Sequence, residues 1–267
     1  MTEREALGVA FSVLGGARDC GAVADAIVGF CDASGLTFEL LTMNTGGGVR
    51  QRKFLPKKLR GYVEDPKSWT LRLRSEARIC STLQAYLRDW KPLDDYETRF
   101  VSRWVCVGSD ELPLAIEGPV LEFIEAMVRL YPVAHGAVGG YRALRYALHE
   151  FTNHANVMLT ELDDETALRL SFDNRNHTEY REKLLRLYPV TIIGSAIWSK
   201  LPPLPPLEQP PIVSDLGDCK MLTCWPTLCE PRDPAFLRGT RALREWLWPY
   251  TIQNPADHVD NDPPAPP

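Results

Sequence analysis

The residues best suited to chemistry are the two histidines of the segment His149-Glu-Phe-Thr-Asn-His154. Zinc-protease helices also carry a glutamate directly after their first histidine, but their two histidines are four residues apart and share one face of the helix. In this chain the spacing is five residues, which turns the second imidazole about 140° away from the first. We therefore expect no metal there. An enzyme whose site is assembled around His149 and His154 is kept only as an alternative.

The cysteines do not form a metal-site pattern either. Cys219, Cys224 and Cys229 are evenly spaced, but they lack the closely spaced pair that structural zinc sites use, and no histidine is near them in the sequence. The chain has seven cysteines, an odd number, and its first residues do not resemble a signal peptide. We expect reduced thiols in the cytoplasm, and neither a cofactor nor a metal.

Two further segments could bind phosphate groups. The glycines at 46–48 lack the Gly-Lys-Ser/Thr ending of a phosphate-binding loop, so we expect a flexible turn there. Residues 50–60 hold six positive charges and no acid, a composition that can bind nucleic acid. However, the whole chain has a net charge of −5, and this segment lacks clustered aromatic residues for base stacking. We favour a solvated loop or a patch that meets an acidic partner, with a nucleic-acid-binding module as the alternative.

A twelve-residue pattern that occurs twice organises the elements around these segments. Residues 122–133 and 179–190 match at seven of twelve positions, and both end in Arg-Leu-Tyr-Pro-Val. Each copy has helical spacing of its apolar residues up to a proline, which ends the helix because it lacks an N–H, and an apolar run follows. We predict a helix–tight turn–strand unit used twice, with its two strands adjacent in one sheet. Tyr131 and Tyr188 would then occupy equivalent buried positions.

The rest of the chain alternates between predicted strands and helices. Strands are predicted at residues 6–14, 36–43, 100–107 and 220–227, helices at 18–33, 75–90, 141–155 and from Asp233 to Pro249, a hairpin at 156–172, and an extended proline-rich connector at 201–211. This order predicts an α+β fold in which helices flank a mixed or antiparallel sheet. Residues 1–254 would form one domain, or two closely packed halves of residues 1–98 and 99–254. Residues 255–267 would form a disordered acidic and proline-rich tail.

These elements together resemble the type VI secretion immunity proteins. The resemblance lies in the order of a helix, the Leu-Tyr-Pro turn, an apolar strand at 193–198 that ends at tryptophan, and the Leu-Pro-Pro-Leu-Pro-Pro connector. It covers roughly residues 100–250. The resemblance implies a bacterial protein without catalytic activity, which binds and neutralises the antibacterial effector encoded beside it.

A cytoplasmic inhibitor implies an effector that acts in the cytoplasm, and nucleases are the obvious class. Removing the six charges of residues 50–60 leaves −11 for the rest of the chain, which suits a cationic nuclease surface and would speed the encounter. No apolar stretch approaches the length of a membrane span, so no membrane partner is expected. The candidate contact residues are an acidic turn, Glu161, Asp163, Asp164 and Glu165, and two tryptophans, Trp198 and Trp225.

Overall fold

The computed structural model describes residues 7–45, 48–75, 81–88, 104–109, 111–112, 116–140, 182–184, 186–229, 233–251 and 258–262, and these form ten strands and six α-helices. The strands are β1 (Leu7–Val13), β2 (Leu40–Thr45), β3 (Gly48–Lys53), β4 (Ser68–Arg74), β5 (Thr82–Tyr86), β6 (Trp104–Ser109), β7 (Val133–Gly140), β8 (Val190–Gly194), β9 (Ile212–Leu216) and β10 (Cys219–Thr223). The helices are α1 (Cys20–Ser34), α2 (Pro56–Glu64), α3 (Pro119–Leu130), α4 (Ser195–Trp198), α5 (Pro234–Gly239) and α6 (Arg241–Leu247). Short 3₁₀ turns lie at Trp248–Tyr250 and Val259–Asn261.

All ten strands belong to one open sheet, in the order β3-β2-β4-β5-β6-β1-β7-β8-β10-β9. Every neighbouring pair is antiparallel. The predicted α+β class is therefore confirmed, with an antiparallel sheet. Within the described residues the sheet does not close, so β3 and β9 each have a neighbour on one side only.

Strand β1 is the centre of the sheet. It pairs with β6 on one side and β7 on the other, and all seven of its residues are buried. Leu7, Val9, Phe11 and Val13 belong to the larger of two hydrophobic clusters, together with residues of α1, α2 and α3. Large apolar residues on one face and small ones on the other suit a strand that is covered on both sides.

Helix α1 is capped at both ends and packs against α3. The Asp19 side chain accepts the N–H of Ala22 at 2.9 Å and so caps the helix start, and Gly35 ends the helix with φ 72°. Phe30 packs against Phe123 of α3 with 4.6 Å between ring centroids. The helix predicted at 18–33 is confirmed, and its apolar side covers β1.

The repeated pattern gives one complete unit and one altered unit. Helix α3 ends before Pro132 and β7 follows, and β7 pairs with β8, so the predicted adjacency of the two strands is confirmed. In the second copy, however, residues 183–184 and 186–188 are not helical, contrary to the prediction. Leu184 donates its N–H to the Tyr250 carbonyl at 2.8 Å instead, and the Thr191 hydroxyl accepts the N–H of Tyr188 at 3.0 Å and donates to the Tyr188 carbonyl at 3.2 Å. This closed turn replaces the end of the predicted helix.

The strand predicted to run to Trp198 also ends earlier, at Gly194. A Cβ added to Gly194 would overlap the backbone carbonyl oxygens of Val133 and Ala134, so the chain passes close to β7 at this point. Next, the Ser195 N–H donates to the Asp218 carbonyl at 3.0 Å, and residues 195–198 form α4 instead of continuing β8. Trp198 therefore lies in a helical turn and not in a strand.

The helix predicted at 75–90 is wrong in the part of this segment that the structure describes. Thr82–Tyr86 form β5, which pairs with β4 and β6. Leu83 and Ala85 are both fully buried, as residues on one face of a covered strand should be. Apolar residues at 83, 86 and 87 fit a helical stripe as well as a strand, and the two neighbouring strands decide between them.

The smaller hydrophobic cluster lies on the opposite face of the sheet, under α5 and α6. Ile192 and Ile193 are neighbours in β8, and they belong to the larger and the smaller cluster respectively, as strand alternation requires. Asp233 caps the start of α5 through its side chain, as predicted from its sequence. The single helix predicted from Asp233 onward divides into α5 and α6 at Thr240.

Arg244 of α6 contacts residues near the end of the chain. It is buried, donates to the Leu237 carbonyl at 2.8 Å and pairs with Asp262. Residues 258–262, which lie in the segment for which the sequence predicts disorder, form a 3₁₀ turn with Val259 buried. The predicted helix at 141–155 and the predicted hairpin at 156–172 lie outside the described residues.

Tyr131 provides a test of the packing at the end of α3. Its side chain is buried, and its hydroxyl has no hydrogen-bond partner within the described part of the chain. Tyr131→Phe keeps the ring and removes a buried polar group, so we expect the free energy of unfolding to rise by on the order of 1 kcal/mol. Tyr131→Ala and Tyr188→Ala should each lower it by about 3–5 kcal/mol because they leave cavities. Denaturant unfolding curves measure these changes, and a Phe variant as unstable as the Ala variant would contradict this account.

Candidate partner-binding surface

The described residues do not assemble a metal site. Across the ranges given above, no group of three or more His, Cys, Asp or Glu side chains lies close enough together to hold an ion. Cys219 belongs to the larger hydrophobic cluster, whereas Cys224 and Cys229 pack on the smaller one. The three evenly spaced cysteines are thus distributed over both faces of the sheet. His149 and His154 lie outside the described residues.

Burial also makes the described thiols poor nucleophiles. It raises the pKa of Cys106 and Cys219 to about 11 and the pKa of Cys31 and Cys224 to about 12. The pKa of Cys20 is raised as well, again mainly by burial. Since the thiolate is the reactive form, the raised pKa values disfavour the reactive form of these five cysteines at neutral pH.

What the structure does present is an exposed apolar edge strand, β9. Ile212 and Val213 are 68% and 39% exposed, respectively. Among the described strands, β9 pairs only with β10, through a two-residue turn at Gly217-Asp218 in which Gly217 has φ 58°. One side of the β9 backbone therefore faces outward beside two exposed apolar side chains.

The register of β9 continues the smaller hydrophobic cluster out to this edge. Val213 lies opposite Leu222, which is fully buried in that cluster, so both side chains are on the same face of the sheet. Ile212 lies opposite Thr223 on the other face. Cross-strand partners in an antiparallel pair are close neighbours, so Val213 extends a packed apolar face to the rim of the molecule.

The segment that leads into β9 widens this surface. Leu201 and Leu207 pack against the smaller cluster, and Leu204 between them is exposed. Prolines before and after these residues remove backbone donors and favour an extended chain. Residues 201–211 thus lie extended beside the edge, as predicted, and offer an apolar side chain to solvent.

The two predicted contact tryptophans lie at the rim of the same cluster. Trp198 and Trp225 are both half-buried and both pack against it. The Trp225 ring meets Phe236 edge-on at 5.9 Å, and a Cβ added to Gly239 would overlap the Trp225 ring. The structure therefore brings these tryptophans into one region with β9. It also gives Trp225 a packing role. The acidic turn at Glu161, Asp163, Asp164 and Glu165 lies outside the described residues.

The two edges of the sheet differ in charge. On β9 and β10, Asp215 and Lys220 lie directly opposite each other and form an ion pair, which neutralises that edge. At the other end, the segment predicted as a solvated basic loop is instead the edge strand β3 followed by α2. All six β3 residues are exposed, and they include Arg50, Arg52 and Lys53.

We call β9, residues 201–211, Trp198 and Trp225 together the candidate partner-binding surface.

Sequence reasoning missed β9. The signal was present, because Gly217-Asp218 separates two short runs containing apolar residues, a typical hairpin pattern. The prolines that precede β9 favoured an extended connector for this segment instead. The exposure of Ile212 and Val213 has no sequence signal, since it depends on which strands flank the hairpin.

Comparison with known proteins does not identify a family for this chain. No protein-family model matches the chain, and no curated protein matches it. Among solved structures, a T6SS protein of Pseudomonas aeruginosa is similar with a TM-score of 0.47 and 10% sequence identity, over 95% of this chain and 83% of that one. None of the helices that the structure describes is long and apolar enough to cross a bilayer.

The raised thiol pKa values give a prediction. At pH 7.5 the native protein should be alkylated by iodoacetamide at Cys31, Cys106 and Cys224 far more slowly than the urea-unfolded protein, because protonation and burial both protect these thiols. Mass spectrometry of peptides after timed quenching measures each site. Rapid modification of Cys106 in the native state would show that its surroundings stabilise a thiolate.

Proposed function

We propose that this chain is an immunity protein that binds a cognate antibacterial type VI secretion effector and neutralises it. It has no catalytic activity of its own in this proposal and works in the cytoplasm, where the effector acts as a nuclease. A more specific form of the proposal is a similarity to TsiT, the inhibitor of the nuclease effector TseT. The effector contacts the partner-binding surface around β9.

The observation that carries the proposal is the edge strand β9, which has β10 as its one neighbour among the described residues and exposes apolar side chains. Exposed apolar edge strands invite pairing with other chains, and natural proteins usually guard them with charge, proline or a covering element. Here Ile212 and Val213 are exposed, and the nearby charges of Asp215 and Lys220 neutralise each other. A free protein with such an edge is prone to association, and a cognate partner that covers it removes this liability.

A five-residue strand is too short to make the whole interface. At about 3.4 Å per residue β9 spans about 17 Å, whereas stable inhibitory complexes bury about 1,600 Å² in total. The proline-rich segment, with Leu204 exposed, and the rim tryptophans Trp198 and Trp225 lie next to the same cluster and supply the remaining area. Half-buried tryptophans held by packing are typical anchors in such interfaces, because little conformational entropy is lost when they bind.

The binding experiment uses the effector encoded beside this gene and two matched variants. Ile212→Lys places a desolvated charge in the proposed interface and should weaken the complex by at least tenfold, that is by about 1.4 kcal/mol or more. Val49→Lys is the control, because Val49 is 71% exposed on the opposite edge strand β3, and it should leave affinity unchanged. Calorimetric titration gives the dissociation constants. Thermal melting should be the same for both variants and the parent.

A growth experiment tests neutralisation itself. Bacteria producing the effector in the cytoplasm should grow when this chain is co-produced, and growth should fail with Ile212→Lys but not with Val49→Lys, since only the former removes the contact. Tight binding without restored growth would separate binding from immunity. Absence of binding to the neighbouring effector would overturn the proposal altogether.

A further inference from the structure

We infer that β3, the opposite edge of the sheet formed by the described residues, is a second binding surface, which adds an acidic, extended peptide segment of a partner protein as a further strand. This inference is independent of the proposed function, because it concerns the other end of the sheet and a partner of different chemistry. It rests on the charge of four adjacent strands, on the register of β3 and on the exposure of its side chains.

The four strands at this end of the sheet carry only positive charge. The four strands β3, β2, β4 and β5 are neighbours and contain no aspartate or glutamate on either face. Their cations are Arg50, Arg52, Lys53, Arg72 and Arg74. Removing these five charges from the net charge of −5 leaves −10 for the rest of the chain. Glu39 directly precedes β2, and its backbone pairs with Arg74 and Phe54, so a carboxylate flanks this end. The strands themselves still present a cationic surface complementary to an anionic partner.

The register places cations on both faces of the edge strand. Arg50 and Arg52 lie opposite Met43 and Leu41, whose side chains are buried on the face covered by the helices. Lys53 lies opposite Leu40 and so is on the other face, where Arg74 flanks Leu40 from β4. A strand added beside β3 would therefore meet positive charge on both of its own faces.

Two features hold part of this charge in place. The Arg52 guanidinium lies over the Tyr62 ring of α2, 5.2 Å from its centroid, which restricts the side chain. Arg72 donates to the Gln84 side-chain oxygen at 2.8 Å and 3.2 Å. In contrast, Arg60 of α2 forms ion pairs with Asp25 and Glu64, so its charge is less available to a partner. Because Arg52 is already partly ordered in the free protein, it loses less conformational entropy when a partner binds.

The geometry favours a peptide over a nucleic acid. An edge strand offers a row of backbone N–H and C=O groups at strand spacing, and another extended backbone matches that row. Single-stranded nucleic acid is usually held by exposed aromatic rings on which bases stack. Of the aromatic residues in the four strands, Tyr86 is 1% exposed and Trp69 is half-buried. The surface therefore has charge and backbone groups without an exposed stacking ring.

The charge also specifies which peptide fits. Directly opposite like charges destabilise a strand pair, so a second copy of β3 would place arginines and lysines beside one another. Arg50 and Arg52 are two residues apart and share a face, so an incoming strand fits best with carboxylates two residues apart on that face. One exposed apolar residue, Val49, provides a contact for an apolar side chain near the strand's end.

The test uses a fluorescently labelled peptide of about eight residues, a common strand length, with alternating glutamate and valine. We expect it to bind the full chain, and hydrogen exchange of the amides of residues 49–53 to slow when it is bound. Arg50→Glu with Arg52→Glu should weaken binding by at least tenfold. The matched control is Arg129→Glu with Lys200→Glu, which makes the same charge change at two exposed residues outside the four strands and should alter binding less than twofold at about 0.15 M salt, where remote charges are screened.

Three results would overturn the inference. Equal binding of the same peptide with alternate backbone nitrogens methylated would show adsorption by charge without strand addition. Tighter binding of an oligothymidylate than of the peptide would make the edge a nucleic-acid surface. No binding of either probe, with β3 exchange unchanged, would show that the cations serve only to prevent edge-to-edge association. Melting curves of both double variants establish that lost binding is not lost folding.

Discussion

An antiparallel sheet that does not close must leave a row of backbone hydrogen-bonding groups unmatched at each end, and this constraint governs the rest of the structure. In the part of the chain that the structure describes, ten strands pair in one sheet, so eight of them have partners on both sides, and β3 and β9 do not. The two edge strands differ in their exposed side chains. Strand β3 is covered with positive charge, whereas β9 exposes Ile212 and Val213 beside a neutral ion pair. Because like charge opposes pairing and apolar exposure favours it, the same physical problem yields two different surfaces.

The centre of the sheet makes these edges possible because it supplies the stability. Strand β1 is buried along its whole length, and α1 and α3 meet over it through Phe30 and Phe123. Burial of apolar area contributes about 25 cal/mol per Å², and it is concentrated here, several strands away from either edge. Exposed residues such as Val49 and Ile212 contribute little to this core. Their side chains can therefore be selected for partners with little consequence for folding.

The sequence predicts those features that depend on local physics. The helical spacing before Pro132, the cap at Asp233 and the turn after α1 each follow from residues within a few positions of one another, and the structure has them. The adjacency of β7 and β8 followed from the repeated pattern. Nothing local shows that Arg88 donates to the carbonyls of Val63, Asp65 and Ser68 at 2.7–3.0 Å, nor that Arg244 is buried against Asp262.

The failures have one physical cause, which is that contacts distant in sequence override a local preference. Strand β5 fits a helical stripe until β4 and β6 pair with it, and in the second repeat Leu184 pairs with Tyr250 and Thr251, more than sixty residues further along the chain. The candidate surface is the feature that is hardest to predict from the sequence. Exposure of an edge strand is a property of the whole strand order. From the sequence, therefore, Trp198 and Trp225 could be identified as contact candidates, but the edge beside them could not.

The spacing of the two edges decides whether they can act independently. Nine strand intervals of about 4.8 Å put β3 and β9 about 43 Å apart along the sheet, several times the Debye length of about 8 Å at physiological salt. The positive charge of β3 therefore has almost no effect on the final contacts at β9. It does act on approach at low salt, since a cationic effector is repelled from the β3 end and attracted to the rest of the chain, which carries −10. Long-range charge thus biases the encounter away from β3, while apolar contact and backbone pairing at β9 determine how long the complex lasts.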